Sequence, residues 1–190
     1  TSEQVRRDLM PVGVKGHRRN GYDIKDLLEK LDDYLGAGQR ICMVLVGVGN
    51  LGRAMMAYFS TKRDQIVIEA AFDNQPDRSG RVIHGVPCFA FDEISAQLSD
   101  VTVDVGVIAV PAGAAQLAAE KLVEAGVRSL INFSAVRLQV PENVLVVSSL
   151  PETAHSKVFN TIFAITNNGI LSHYRKNMLF SPLKEDEWFQ

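Results

Sequence analysis

The sequence predicts an α/β protein organised around a doubly wound parallel sheet, and three observations carry that expectation. Runs such as RICMVLV and VDVGVIAV are apolar at nearly every position, the pattern of strands buried on both faces. Segments with helical periodicity alternate with them, as parallel strands require for their connections. At one strand-to-helix junction, VLVGVGNLGRAMM, the glycines Gly47, Gly49 and Gly52 keep the Gly-x-Gly-x-x-Gly spacing. In that context the spacing marks a Rossmann sheet that cradles a dinucleotide.

A chain of 190 residues allows one large core with appendages. Hydrophobic residues at 46% and charged residues at 22% exclude a disordered composition. No apolar run approaches the ~18 residues of a membrane span, and the opening TSEQVRRDLM lacks a signal-peptide core. The expected compartment is the cytoplasm. Cys42 and Cys88 lie in apolar runs without Cys-x-x-Cys or metal-ligand spacing, so both read as small buried hydrophobes and no metal site is expected. The net charge of −2 is unevenly spread: residues 1–22 hold five Lys or Arg against two acids. A basic N-terminal arm therefore precedes an acidic remainder.

The elements follow in order. Thr1 to Gln4 has capping-box spacing and opens a short helix that ends at MPVG. VGVKGHRRNGYD, with its glycines and cluster of cations, reads as a turn or hairpin. Asp23 caps a second helix whose Ile24, Leu27, Leu28, Leu31 and Leu35 form a stripe, closed by Gly36 and Gly38. Residues 23–38 thus form a linker helix between a basic segment, 1–22, and the sheet domain, 39–150. Within that domain the order is strand RICMVLV, a helix from about Leu51, strand QIVIEAAFD, the short strand VPCFAF, a helix near Asp92, and strand VDVGVIAV. A helix from about Ala112 to Ala125 and strands RSLINF and VLVVSS complete it. Residues 151–190 read as a C-terminal helical segment, because Val158, Phe159, Ile162 and Phe163 share one helical side.

The glycines divide the work of the cradle. Gly47 permits the tight turn, Gly49 lets a pyrophosphate reach the backbone, and Gly52 lets helix and strand pack closely. Val48, Asn50 and Leu51 lie among them, so their backbone N–H groups and the positive end of the helix face the phosphates. Asp73 ends the second strand 21 residues beyond Gly52, where an acid bonds the adenosine ribose and repels a 2′-phosphate. The expected ligand is NADH or NAD+. Arg78 and Arg81 follow closely and are placed to neutralise a phosphate. Ligands of such sheets lie beyond the carboxyl ends of the strands, which here adds Val110, Pro111 and Phe133. Phe133 either faces the nicotinamide or belongs to the core. In the first case its apolar surface penalises the charged oxidised ring and makes the pocket a redox discriminator. Tyr58, two turns along the cradle helix, reaches toward the ligand's edge or marks the helix boundary.

Catalysis is not expected. Only 40 residues follow Leu150, too few for an ordinary substrate domain. His84, His155 and His173 are the available proton donors, with His155 beside Lys157 the best placed, but solvated or packing roles suit them better.

TSEQVRRDLM, the glycine and arginine loop ending in GYD, GVGNLGRA, AAFD, GVP, AVPA, VEAG and INFSAVRLQVPE together resemble Rex, a family of bacterial redox-sensing transcriptional repressors, over residues 1 to about 145. The resemblance implies a winged-helix DNA-binding domain before an NADH-binding Rossmann domain, and a homodimer that exchanges a C-terminal helix. It implies that NADH releases operator DNA while NAD+ competes weakly. TSEQVRRDLM becomes the end of the recognition helix and the glycine and arginine loop the wing, with Arg6, Arg7, Arg18 and Arg19 as DNA contacts, mostly to phosphate. Most of the winged helix is then missing from this chain, as in a truncated or proteolysed form, and its DNA binding is expected to be weak. Rex proteins usually carry an Asp in a Val-Asp-Leu stretch that links to a tyrosine corresponding to Tyr58; here the stretch reads SSLPE, and Ser149 takes the place of the acid. Two other readings remain open at this point: an NAD-dependent oxidoreductase and a CoA-binding module. Asp73 argues against the second.

Overall fold

The computed structural model describes residues 2–16, 21–35, 40–61, 65–155 and 157–176. They fall into two compact units, residues 1–40 and 41–190. The first holds α1 (Ser2–Leu9) and α2 (Ile24–Leu35). Asp23 caps α2 as expected: its Oδ1 accepts the N–H groups of Lys25 at 2.9 Å and Asp26 at 3.0 Å, two donors that have no partner inside the helix. Arg6 and Arg7 are exposed on α1. Arg18, Arg19, Gly36 and Gly38 lie outside the described residues.

The second unit runs β1 (Ile41–Val46), α3 (Asn50–Thr61), β2 (Ile66–Asp73), β3 (Arg81–Ile83), β4 (Val86–Ala90), a 3-10 turn (Phe91–Glu93), α4 (Ile94–Leu98), β5 (Val105–Ile108), α5 (Ala112–Glu124), β6 (Ser129–Asn132), β7 (Leu145–Ala154), β8 (Lys157–Thr166) and β9 (Gly169–Arg175). The strands form one sheet in the order β3-β4-β2-β1-β5-β6-β7-β8-β9. From β4 to β7 the neighbours are parallel; β3, β8 and β9 join antiparallel at the two ends. The expected doubly wound parallel sheet is therefore present.

Both faces of the parallel part are covered, which is why its strands are apolar throughout. On one face Val44, Val46, Phe72, Ile108 and Leu130 pack with Ile94 and Leu98 of α4 and with Ala115, Ala118, Ala119 and Leu122 of α5. On the other, Met43, Leu45 and Val107 pack with Met56 of α3. Cys88 is buried and Cys42 half-buried within this sheet, and burial pushes the Cys88 thiol above its ordinary range. Among the described residues no helix is long and apolar enough to cross a membrane.

The C-terminal segment departs from expectation. Residues 151–176 are not helical; they form the far half of β7 with β8 and β9 as an antiparallel extension. A C-terminal helix available for exchange is thus absent from the described residues, and 177–190 lie outside them. The physical reason is composition. In KVFNTIFAIT seven of the ten residues are β-branched or aromatic, which suits a pleated surface better than a helix. Val158, Phe159, Ile162 and Phe163 share a helical stripe, but in the strand Val158 and Ile162 fall on one face of the sheet and Phe159 and Phe163 on the other. Pro151 is tolerated because β6 pairs with β7 only as far as Ser148, so beyond that point one side of β7 makes no ladder with it. Glu152 ties the extension together, accepting bonds from Arg175 Nη2 at 2.6 Å, Arg175 Nε at 2.9 Å and Thr161 Oγ1 at 2.7 Å. These bonds, led by the one from Arg175, hold its carboxyl down at about 2.

Candidate functional site

The chain leaves β1 in one direction to reach β2 and in the other, by way of β4, to reach β5, so the crevice between β1 and β5 is the switch point of the sheet. Gly47 opens it. Its φ of 103° lies in the left-handed region, and a Cβ there would collide with the Ala109 carbonyl oxygen and stand 2.9 Å from Val110 Cγ1. Only glycine lets the end of β1 pass this close to the end of β5. A Cβ on the buried Gly52 would collide with the Gly47 carbonyl oxygen, so α3 rests directly on the bend. Gly49 is different, with no atom within 4 Å of its added Cβ. Turn, open approach and close packing fall on the three glycines as the spacing predicts.

Val48 is fully buried beside Met56, while Asn50 and Leu51 are exposed at the start of α3. A cavity of about 440 Å³ lies over the bend, walled by Phe91, Val110, Pro111, Ala114 and Leu117 and closed on the β2 side by Asp73, Gln75 and Arg78. This is within the ordinary size of a small-molecule site. The loop after β6 is pinned to its rim, because Ser134 Oγ donates to the Val110 carbonyl at 2.5 Å and Ser134 N–H to Asn132 Oδ1 at 2.9 Å.

Asp73 braces the cradle from the neighbouring strand. Its Oδ2 accepts the Val48 N–H at 2.7 Å and Arg78 Nη1 at 2.8 Å, and its Oδ1 the Gln75 N–H at 2.8 Å. Burial pushes the carboxyl up, but the bonds from Val48, Gln75 and Arg78 outweigh it and hold the group below the usual aspartate range. A group depressed on folding stabilises the fold above its unfolded pKa of ~3.9 and loses that contribution as pH falls through the lower folded value. Asp73→Asn is therefore expected to unfold more readily at pH 7 and to show a shallower loss of stability between pH 5 and 3 than the parent. Urea unfolding across that range checks it, and parallel pH profiles would remove this role for Asp73.

Two expected ligand residues sit elsewhere. Tyr58 is half-exposed on α3, edge-on to Phe59 at 5.1 Å, and does not line the cavity. Phe133 is 51% exposed, which rules out the core alternative, and its side chain also lies outside the cavity wall. Arg78 faces Asp73, and Arg81 is exposed on β3. Phe91, Ala114 and Leu117 were not singled out from the sequence. The signal for the last two was the spacing Pro111, Ala114, Leu117 on the side of α5 that the core residues Ala115, Ala118 and Leu122 do not use.

The histidines are dispersed. His84 and His155 take positive φ in the β3–β4 and β7–β8 turns, and His173 stacks on Phe163 in β9. Ser149 Oγ donates to Asn160 Oδ1 at 2.8 Å within the antiparallel extension.

Comparison with known proteins agrees with this geometry. The family model of the CoA binding domain matches residues 39–136, the span that builds the cleft. The redox-sensing transcriptional repressor Rex of Lactobacillus acidophilus is 37% identical over 145 residues, which cover 76% of this chain and 69% of that protein. This chain belongs to the Rex family, with a CoA binding domain. The Rex repressor of Carboxydothermus hydrogenoformans is 39% identical over 146 residues, 77% of this chain and 70% of that protein. The solved structure of RSP, a Rex-family repressor, in complex with β-NAD+ and operator DNA matches with a TM-score of 0.68 at 29% identity, covering 78% of this chain and 68% of that one. RSP with β-NADH matches with a TM-score of 0.64 at 28% identity over the same shares. Rex relatives are transcriptional repressors, so the chain stands with regulators and not with NAD-dependent oxidoreductases.

Proposed function

We propose that the cleft binds NADH and NAD+ and that the chain acts as a redox-sensing repressor which lets go of operator DNA when NADH is bound. The observation that carries the reading is the glycine bend left open at Gly49 with the carboxylate of Asp73 beside it. The RSP complexes with both redox forms and with operator DNA support it. The diphosphate lies over Gly49 and the start of α3, and the adenosine ribose meets Asp73. Val110 and Pro111 lead toward the nicotinamide end.

DNA contacts fall to Arg6, Arg7, Arg18 and Arg19. Phosphate-directed arginines give salt-sensitive binding with little sequence preference, so operator affinity of this chain is weak. The working unit is a homodimer in the cytoplasm, in which ligand shifts the spacing of two DNA-binding heads.

Calorimetric titration with NADH, NAD+ and CoA tests the reading. NADH is expected to bind most tightly. Equal affinity for the two redox forms would leave no basis for sensing, and tight CoA binding with no response to NADH would assign the cleft to the CoA-binding alternative.

A further inference from the structure

Another cavity, of about 470 Å³, shares no wall residue with the glycine cleft. One of its walls is the loop after β6, with Val136, Leu138 and Val140. Side chains hold that loop in place: the Gln139 N–H donates to Gln116 Oε1 of α5 and Gln116 Nε2 to the Gln139 carbonyl, both at 2.9 Å, while Asn132 Nδ2 donates to the Val136 carbonyl at 2.9 Å. The other wall is the antiparallel extension. Val146, Ser148 and Leu150 alternate onto one face of β7, and Ile165 of β8 pairs with Val146. The CoA binding domain match stops at residue 136, so the cavity is built almost wholly from residues beyond it.

The polar groups of the floor are already satisfied. Asn132 and Ser148 are buried; Ser148 Oγ donates to the Asn132 carbonyl at 3.2 Å, and Asn132 Oδ1 accepts the Ser134 N–H at 2.9 Å. Toward solvent the situation differs. Arg137, Thr166 and Asn167 line the cavity there, and none of the three has a side-chain hydrogen bond or ion pair among the described residues. Arg137 also carries the one charge among the described residues of the lining. The potential inside is therefore positive, and the apolar walls focus it.

We propose that this cavity is a second ligand site and that it takes a monocarboxylate with an apolar body. The proposal does not depend on what the glycine cleft holds. A guanidinium matches a carboxylate with paired donors, and the Thr166 hydroxyl and Asn167 amide add further ones. The six apolar side chains of the two walls take up the hydrocarbon part. One guanidinium balances one negative charge. A phosphate ester, with a charge of about −1.5 to −2 at pH 7, brings more than the lining offsets, so the carboxylate is favoured. The volume lies within the range of small-molecule sites.

The test is calorimetric titration of the full chain with octanoate and with octan-1-ol, its neutral counterpart, repeated in Arg137→Gln and Arg137→Lys. Octanoate is expected to bind saturably at a single site and about tenfold or more tighter than octan-1-ol. Arg137→Gln, at an exposed position, is expected to lose that preference while keeping the parent's urea midpoint. Arg137→Lys retains most of it. Saturating NADH leaves octanoate affinity within about threefold of its value without the nucleotide. Absence of saturable octanoate binding, equal affinity for the acid and the alcohol, or an undiminished preference in Arg137→Gln each overturns the proposal. Competitive displacement of octanoate by NADH would place the acid in the glycine cleft and overturn it as well.

Discussion

Gly49→Val is expected to weaken NADH binding by about 100-fold or more, equivalent to ~2.7 kcal/mol, while leaving the fold's stability within about 0.5 kcal/mol of the parent. The two halves of that result have separate causes. A Cβ at position 49 meets nothing within 4 Å and the backbone there is not in the left-handed region, so the protein itself accommodates the side chain. The branched methyls then occupy the open approach over the start of α3, where a diphosphate must come within hydrogen-bonding distance of backbone N–H groups. Calorimetry with NADH and urea unfolding of the same sample read both quantities. Parent-like NADH affinity in the variant would mean that the phosphates do not lie over this bend.

Gly52→Ala, three residues on, should do the reverse. The added methyl is driven against the Gly47 carbonyl oxygen and comes within 3.2 Å of Leu45 Cδ2 in a buried position. Backbone cannot step aside as the tip of a flexible side chain can, so α3 must lift from the bend. The expected cost is about 3 kcal/mol or more, at the upper end of overpacking effects, read as a lower urea midpoint. Nucleotide binding falls only because the folded population and the N-terminal end of α3 are disturbed together. An unfolding free energy within about 0.5 kcal/mol of the parent would show that α3 does not rest on Gly47.

The contrast between these glycines is legible in the sequence, because the spacing has a mechanical meaning at a strand-to-helix junction. Asp73 was legible for a similar reason, lying at the end of the second strand of a repeating unit whose length is set by one helix and two strands. Tyr58 and Phe133 were harder. Counting two turns along a helix gives distance from the cradle but not rotation about the axis, and α3 turns Tyr58 to solvent beside Phe59. A residue just beyond a strand end, such as Phe133, is aimed by its loop, and here that loop is pinned by the bond of the Ser134 hydroxyl to the Val110 carbonyl and by the Asn132 side chain of β6.

The tail shows where local pattern stops being informative. Four apolar residues in PETAHSKVFNTIFAI are spaced for a helix, yet the segment is a strand through pairing of β8 with β7, a partner that no periodicity within β8 names. Arg78 is the subtler instance. Its nearness to Asp73 could be counted along the chain, yet whether it faced a ligand phosphate or the carboxylate depended on the turn between them.

Sequence alone determined the parallel sheet, the glycine bend and the acid of the second strand, since each is written in short-range periodicity or in residues whose backbone freedom is unusual. The tertiary structure decided which side chains meet across the crevice, that the acid arrives already paired, and that the last described residues extend the sheet. Those outcomes depend on contacts between segments far apart in the chain, and a one-dimensional pattern carries the chemistry of such contacts without their partners.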